Sequence, residues 1–111
     1  MFMHMKISST SVQDASERIH DTNVALIDVR SPEEFASGRV PGAINIPLED
    51  IPTKGNELSQ YDTVYLICRS GGRSGRAVMF LSMDGIHAVN IEGGMLAWQN
   101  AGLAIEGKGA V

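Results

Sequence analysis

Cys68 is the only cysteine in the 111 residues, which rules out a disulfide within the chain and makes a reducing cytoplasm the expected compartment. There is no run of lysine or arginine. With 9 basic residues against 13 acidic ones, a net charge of -4 and a pI of about 5.2, the chain lacks the positive footprint that nucleic acid or an anionic membrane surface requires. Long apolar runs are missing as well: the longest, 64–68 and 77–81, hold five residues each, against the roughly 20 of a spanning helix. The start, Met1-Phe2-Met3-His4-Met5-Lys6, has no basic segment leading into an apolar one, so no secretory leader is expected. Three scattered histidines and a lone cysteine do not make a spaced zinc set, and no metal or cofactor is expected.

What is present is an ordinary globular balance, 43% hydrophobic and 20% charged, in a length that suits one compact domain over residues 1–111. Four short apolar runs, 24–29, 43–46, 63–68 and 88–91, read as buried strands, with an edge strand expected around 6–8. Val12, Ala15, Ser16 and Ile19, and later Ala77, Val78 and Leu81, recur at helical spacing. Strand followed by helix, repeated, predicts an α/β fold with a mostly parallel sheet covered on both faces by crossover helices. Ser31-Pro32-Glu33-Glu34 supplies an N-cap hydroxyl, a proline at the first helical position and a glutamate at the third, opening a short helix that ends near Gly38. Gly85 and Gly102 stand where left-handed residues close helices. Met79, Met83, Met95 and Trp98 are expected in the core.

One segment carries chemistry. From Thr63 through Cys68-Arg69-Ser70-Gly71-Gly72-Arg73-Ser74 to Ala77, a strand runs into a glycine-rich loop and then a helix. The carboxyl ends of parallel strands line the ligand crevice of such sheets, so Cys68 is delivered to that edge. Gly71 and Gly72 let the loop curl with successive N–H groups inward, an anion cradle that the following helix N-terminus reinforces. A thiol at its centre ionises more readily, and Arg69 and Arg73 add to the effect, so Cys68 reads as a nucleophile that needs no general base. The plain alternative is a buried cysteine serving as a small hydrophobe. A Cys-His dyad is not expected, because His20 and His87 precede strands and fall at the opposite edge, while His4 is terminal.

These residues resemble those of a single-domain rhodanese, a sulfurtransferase. The likeness covers nearly the whole chain and rests on four ordered blocks: Leu26-Ile27-Asp28-Val29-Arg30 with Glu33-Glu34-Phe35, the stretch from Gly38-Arg39-Val40-Pro41-Gly42 to Pro47, the loop that begins at Cys68, and Gly93-Gly94 followed by Trp98. It implies five mostly parallel strands flanked by helices, with the loop 68–73 cradling a persulfide on the cysteine. Many relatives carry histidine where Arg39 stands, a change expected to alter charge near the entrance and not the chemistry. Related cysteine phosphatases and arsenate reductases place arginine six residues after the cysteine, whereas here Arg73 is five after it, position 74 is serine and Ile67 precedes the cysteine. The tighter loop resembles the form that holds one sulfur atom.

The resemblance implies a two-step relay, in which the Cys68 thiolate takes the outer sulfur of an anionic donor such as thiosulfate. Backbone N–H groups of Ser70 through Ser74 hold it until cyanide, a thiol or a protein acceptor removes it. The loop arginines resemble those of thiosulfate-using members more than mercaptopyruvate-using ones. Asp28 and Arg30 brace the loop in the family; the alternative is that Asp28 accepts backbone N–H bonds while Arg30 pairs with Glu33 or Glu34 at the surface. Gly93 and Gly94 either admit substrate or make a tight turn, and Arg76 is expected to face solvent. Two other functions stay open: a sulfur carrier or sensor that hands sulfur to a partner protein, and a cysteine phosphatase or arsenate reductase.

Overall fold

A computed structural model describes residues 6–107. The strands are β1 (Ser9–Thr10), β2 (Val24–Asp28), β3 (Gly38–Arg39), β4 (Ile44–Asn45), β5 (Thr63–Ile67), β6 (Ala88–Ile91) and β7 (Glu106–Gly107). The helices are α1 (Val12–Arg18), α2 (Pro32–Ser37), α3 (Gly55–Leu58), α4 (Gly72–Met83) and α5 (Gly94–Asn100), with a 3-10 turn over Leu48–Thr53. Five strands form a wholly parallel sheet in the order β1-β6-β5-β2-β4, while β3 and β7 make a separate antiparallel ribbon.

The period-2 alternation of side chains sorts the strand residues onto two faces. Ala25, Ile27, Val64, Leu66, Cys68 and Ala88 join Ala77, Val78 and Leu81 of α4 and Ile51 and Leu58 beneath the 3-10 turn and α3. Leu26, Tyr65, Ile67, Val89 and Ile91 face the other way, onto Val12 and Ala15 of α1 and Met95 and Trp98 of α5. Both faces are therefore covered, as the unbroken apolar strands predict. The Trp98 indole N–H ends on the carbonyl of Ala104 at 2.9 Å, so its polar edge is satisfied in the core.

The connections position the site. From β2 the chain passes outward to β4 at one edge, then returns to β5 and moves on to β6 on the other side. The chain segments leaving β2 and β5 thus part in opposite directions, and the crevice between their carboxyl ends is where sheets of this kind place ligands.

Three expectations shift. The first edge strand lies at Ser9–Thr10, not at 6–8, although the Ser8 carbonyl still receives the Asn90 N–H at 2.8 Å. The 43–46 run gives only the two-residue β4, an edge strand with one neighbour, so Ile44 is partly in solvent. Met79 and Met83 are not core: α4 turns them outward with Phe80, and Met83 is 77% exposed, because the buried stripe of the helix is Ser74, Gly75, Ala77, Val78 and Leu81. Met95 is buried as expected. No helix among the described residues is long and apolar enough to cross a membrane.

Truncation should separate these two classes of side chain. Leu66→Ala, at a fully buried sheet position, is expected to lower unfolding free energy by about 2–5 kcal/mol. Met83→Ala should change it by less than about 0.5 kcal/mol in urea denaturation, a result a core methionine could not give.

Candidate active site

Cys68 follows directly on β5 and is 1% exposed. The chain turns at Gly71 with φ +111, a left-handed conformation that costs glycine little, and enters α4 at Gly72. That turn brings the Gly71 N–H to 3.0 Å from Cys68 Sγ. One turn into α4, the buried Ser74 sets its hydroxyl 3.2 Å from the same sulfur. Burial pushes the thiol up, but hydrogen bonds from the Ser74 hydroxyl and the backbone N–H groups of Ser74, Gly71 and Ser70 outweigh it and hold Cys68 below the ordinary cysteine value. Arg73 adds an attraction to the same sulfur. The loop from Cys68 to Ser74 curls round the sulfur, and most of the pull on the thiol comes from amides and a hydroxyl. Arg69, Ser70 and Gly72 are exposed at the rim.

What aims the amides inward is the neighbouring helix. The first turn of α5 donates the Met95 N–H to the Cys68 carbonyl at 2.9 Å and the Leu96 N–H to the Arg69 carbonyl at 3.1 Å. With those carbonyls drawn outward, the peptide groups that follow present their N–H sides to sulfur. This approach needs Gly94, at φ +56: a Cβ there would run into the Cys68 carbonyl and lie 2.6 Å from the Arg69 carbonyl oxygen. Gly94 thus lets α5 seat against the loop, while a Cβ at Gly93 would run into Ala97 within α5. The doubled glycine was the available signal, but its spacing alone does not say which carbonyls it serves.

Glu34 is the second residue whose role the sequence understates. Its carboxylate closes the expected capping box, accepting the Ser31 N–H at 3.1 Å while Ser31 Oγ accepts the Glu34 N–H. The same carboxylate takes Arg73 in a fork, Oε1 to Nη1 at 2.6 Å and Oε2 to Nη2 at 2.9 Å. The Arg73 guanidinium holds the Glu34 carboxyl down at about 2 from its ordinary 4.5, and Glu34 in turn raises Arg73. A capping glutamate 39 residues from its arginine leaves no local pattern to read.

Asp28 and Arg30 form a fully buried pair, Arg30 Nη2 to Asp28 Oδ2 at 2.8 Å. This corrects the alternative of a surface pair between Arg30 and Glu33 or Glu34: Arg30 folds back inside and Glu34 is taken by Arg73. Asp28 does accept a backbone N–H, that of Arg30. Arg30 also donates to the Gly38 carbonyl at 2.7 Å, and Asn45 Nδ2 donates to the carbonyls of Asp28 and Arg30. The pair therefore ties the end of β2 to both ends of the segment that carries α2, and α2 presents Glu34 to the loop arginine. Its bonds stop short of Cys68. Arg39 lies over the Phe35 ring at 5.3 Å and pairs with Glu106 at 3.4 Å, so its charge is engaged between β3 and β7. His87 meets Thr63 at the amino end of β5, at the edge away from Cys68. Among the described residues no three His, Cys, Asp or Glu side chains cluster as metal ligands.

Residues 11–101 match the family described as Rhodanese-like domain. The chain is 42% identical over 96 residues to a putative sulfurtransferase, YtwF, of Bacillus subtilis, covering 86% of this chain and 93% of that protein. A sulfurtransferase of Allochromatium vinosum is 37% identical over 101 residues, covering 89% and 94%. Among solved structures, a rhodanese-related protein from Thermoplasma volcanium superposes with a TM-score of 0.81 at 33% identity, covering 89% of this chain and 97% of that one.

Two substitutions test how the loop is held. Gly94→Ala should cost about 1–3 kcal/mol from its backbone angle alone, and should slow iodoacetamide alkylation of Cys68 at neutral pH by displacing the amides. Because Glu34 is depressed, its contribution is complete above 4.5 and fades as pH falls from there toward about 2. Urea midpoints of the wild type should drop over that window, and those of Glu34→Gln should drop less.

Proposed function

The chain belongs to the rhodanese-like domain family, and on that premise we propose that it is a sulfurtransferase that carries sulfur as a persulfide on Cys68, with thiosulfate as donor. The observation that carries this reading is the set of donors closed on one sulfur position: the Gly71 N–H at 3.0 Å, the Ser74 hydroxyl at 3.2 Å and the further amides of Ser70 and Ser74 that lower the thiol. Backbone amides fixed in advance around a site of developing negative charge lower the barrier to forming it, and the Ser74 hydroxyl can turn to join them.

In the first step the Cys68 thiolate attacks the outer sulfur of thiosulfate. A sulfur–sulfur bond forms, the bond to the sulfonate sulfur breaks, and sulfite leaves with the electron pair. The cysteine then carries a persulfide anion whose outer sulfur takes the place of the thiolate charge at the loop. In the second step cyanide or a thiolate attacks that outer sulfur, and the electron pair of the broken bond returns to Cys68. No proton transfer is needed in either step once the thiol is ionised, which fits a cysteine whose hydrogen-bond partners among the described residues include no histidine.

The donor is a dianion approaching an anion, so charge at the rim matters. Arg73 is shared with Glu34, whereas Arg69 is exposed and forms no ion pair among the described residues. Arg69 is thus a loop cation free to meet thiosulfate, and Arg73 braces the loop that receives it. Cys68 itself is 1% exposed, which suits transfer of one sulfur atom better than seating of a tetrahedral oxyanion.

Steady-state assays with thiosulfate and cyanide are expected to give thiocyanate with the parallel lines of a ping-pong mechanism and none with Cys68→Ser. Arg69→Ala should raise KM for thiosulfate by about tenfold with a smaller change in kcat, as expected for a charge that acts mainly in binding. Hydrolysis of an aryl phosphate dependent on Cys68, without thiocyanate formation, would replace this reading with the phosphatase one. Transfer to a protein thiol much faster than to cyanide would recast the chain as a sulfur carrier.

A further inference from the structure

The Ser74 hydroxyl has one proton and three acceptors around it: Asn90 Oδ1 at 2.6 Å, Cys68 Sγ at 3.2 Å and the Gly71 carbonyl at 3.3 Å. Asn90 lies in β6 on the same face of the sheet as Cys68, and it is 7% exposed. Its Nδ2 donates to the Gly71 carbonyl at 3.3 Å, and that carbonyl already receives the Gly75 N–H at 3.0 Å. The carboxamide is boxed in by the backbone of the loop and helix, since a Cβ at Gly71 or Gly75 would stand 3.9 or 3.8 Å from Nδ2. Nothing in the sulfur chemistry above uses Asn90.

This arrangement is satisfied only while Cys68 is a neutral thiol. The S–H can then donate to Ser74 Oγ, and Ser74 passes its own proton to Asn90 Oδ1, the shortest of its contacts. When Cys68 carries negative charge, the strongest place for the Ser74 proton is on sulfur. Two oxygens, Ser74 Oγ and Asn90 Oδ1, then face each other 2.6 Å apart with no proton between them, an unsatisfied buried contact. A half-turn of the carboxamide removes it. The two ends of an amide have nearly the same shape and the terminal torsion is soft; the turn gives up the long bond to an already satisfied Gly71 carbonyl and leaves Oδ1 at that 3.3 Å position, a looser contact between acceptors than the 2.6 Å one it removes. The result is an unbroken donor chain from Asn90 Nδ2–H to Ser74 Oγ–H to sulfur, whose members polarise one another.

We propose that Asn90 is a positioning residue that steers the Ser74 hydroxyl, turning its carboxamide over as Cys68 goes from thiol to thiolate or persulfide anion. The other charged groups near the sulfur are engaged among themselves: Arg73 with Glu34, and Asp28 with Arg30. Arg69, from the loop itself, is exposed. None of these is in hydrogen-bond contact with Asn90. The proposal rests on Cys68 being the reacting sulfur, but its test needs neither donor nor acceptor, so a failure of sulfur transfer and a failure of the relay are read separately.

The thiolate is titrated by its absorbance near 240 nm and by iodoacetamide rates against pH, in wild type, Asn90→Asp, Ser74→Ala and the double variant. A carboxylate at position 90 can only accept, so Asn90→Asp should hold the Ser74 proton away from sulfur. The midpoint should rise by about one pH unit, a tenfold loss of thiolate at a fixed pH below it. In the Ser74→Ala background the same change should shift it by less than half as much. Equal shifts in the two backgrounds would overturn the proposal, since a direct charge effect does not pass through Ser74. On the unaltered chain, the Asn90 carboxamide proton signals should follow the Cys68 titration and gain contacts to the Ser74 β-protons at its alkaline end. Unchanged carboxamide contacts across that titration would overturn it even if Asn90→Asp fails to fold.

Discussion

The hydrogen bonds from Met95 and Leu96 to the carbonyls of Cys68 and Arg69 hold the site open to negative charge. A peptide group cannot show both its N–H and its C=O to the same side, so a loop that presents amides inward must send its carbonyls elsewhere. The first turn of α5 receives them. Its own N–H groups lack helical partners, so one contact satisfies both elements. The arrangement depends on Gly94 having no side chain, because the backbone of α5 comes closer to the loop than a Cβ allows. The amide ring, the lowered thiol and the proposed persulfide site all follow from this seating.

Charge is arranged around the loop in pairs. Asp28 and Arg30 are both fully buried, and Arg30 Nη1 is the one buried side-chain nitrogen or oxygen among the described residues without a partner. Such a pair is a weak source of stability and a strong constraint on geometry. Here it joins β2 to the Gly38 end of α2, and Asn45 closes the other side. With α2 fixed, Glu34 meets Arg73 as a fork, and Arg73 in turn anchors the loop from its far end. The loop is thus held at Cys68 and Arg69 by α5 and at Arg73 by α2, with Ser74 reaching into the interior toward Asn90. The backbone amides around the sulfur are fixed by contacts that do not involve it, while Ser74 and Asn90 are free to reorient.

Much of this was legible in the sequence, and the boundary of what was not has a physical cause. Unbroken apolar runs of period-2 geometry announced strands covered on both faces, and the strand, loop and helix around Cys68 announced the anion cradle. Ser31-Pro32-Glu33-Glu34 announced a capped helix, because those signals are local. The second task of Glu34, the inward turn of Arg30, and the service of Gly94 to two carbonyls are contacts between segments far apart in the chain, and composition does not encode their direction. Met79 and Met83 look apolar enough for the core, yet the helix that carries them already has its buried stripe filled by smaller residues. Asn90 sat within an apolar strand, where its polarity was the only sign that the strand does more than pack.

Sulfur transfer by this site requires a sulfur atom bound covalently to Cys68. Intact-protein mass spectrometry before and after thiosulfate, and again after cyanide, tests it most directly beside the Cys68→Ser variant. The expected result is a gain of one sulfur atom that cyanide reverses and the variant never shows. A protein whose Cys68 reacts readily with an alkylating agent at neutral pH, yet gains no sulfur from thiosulfate or from any other persulfide donor, would contradict it.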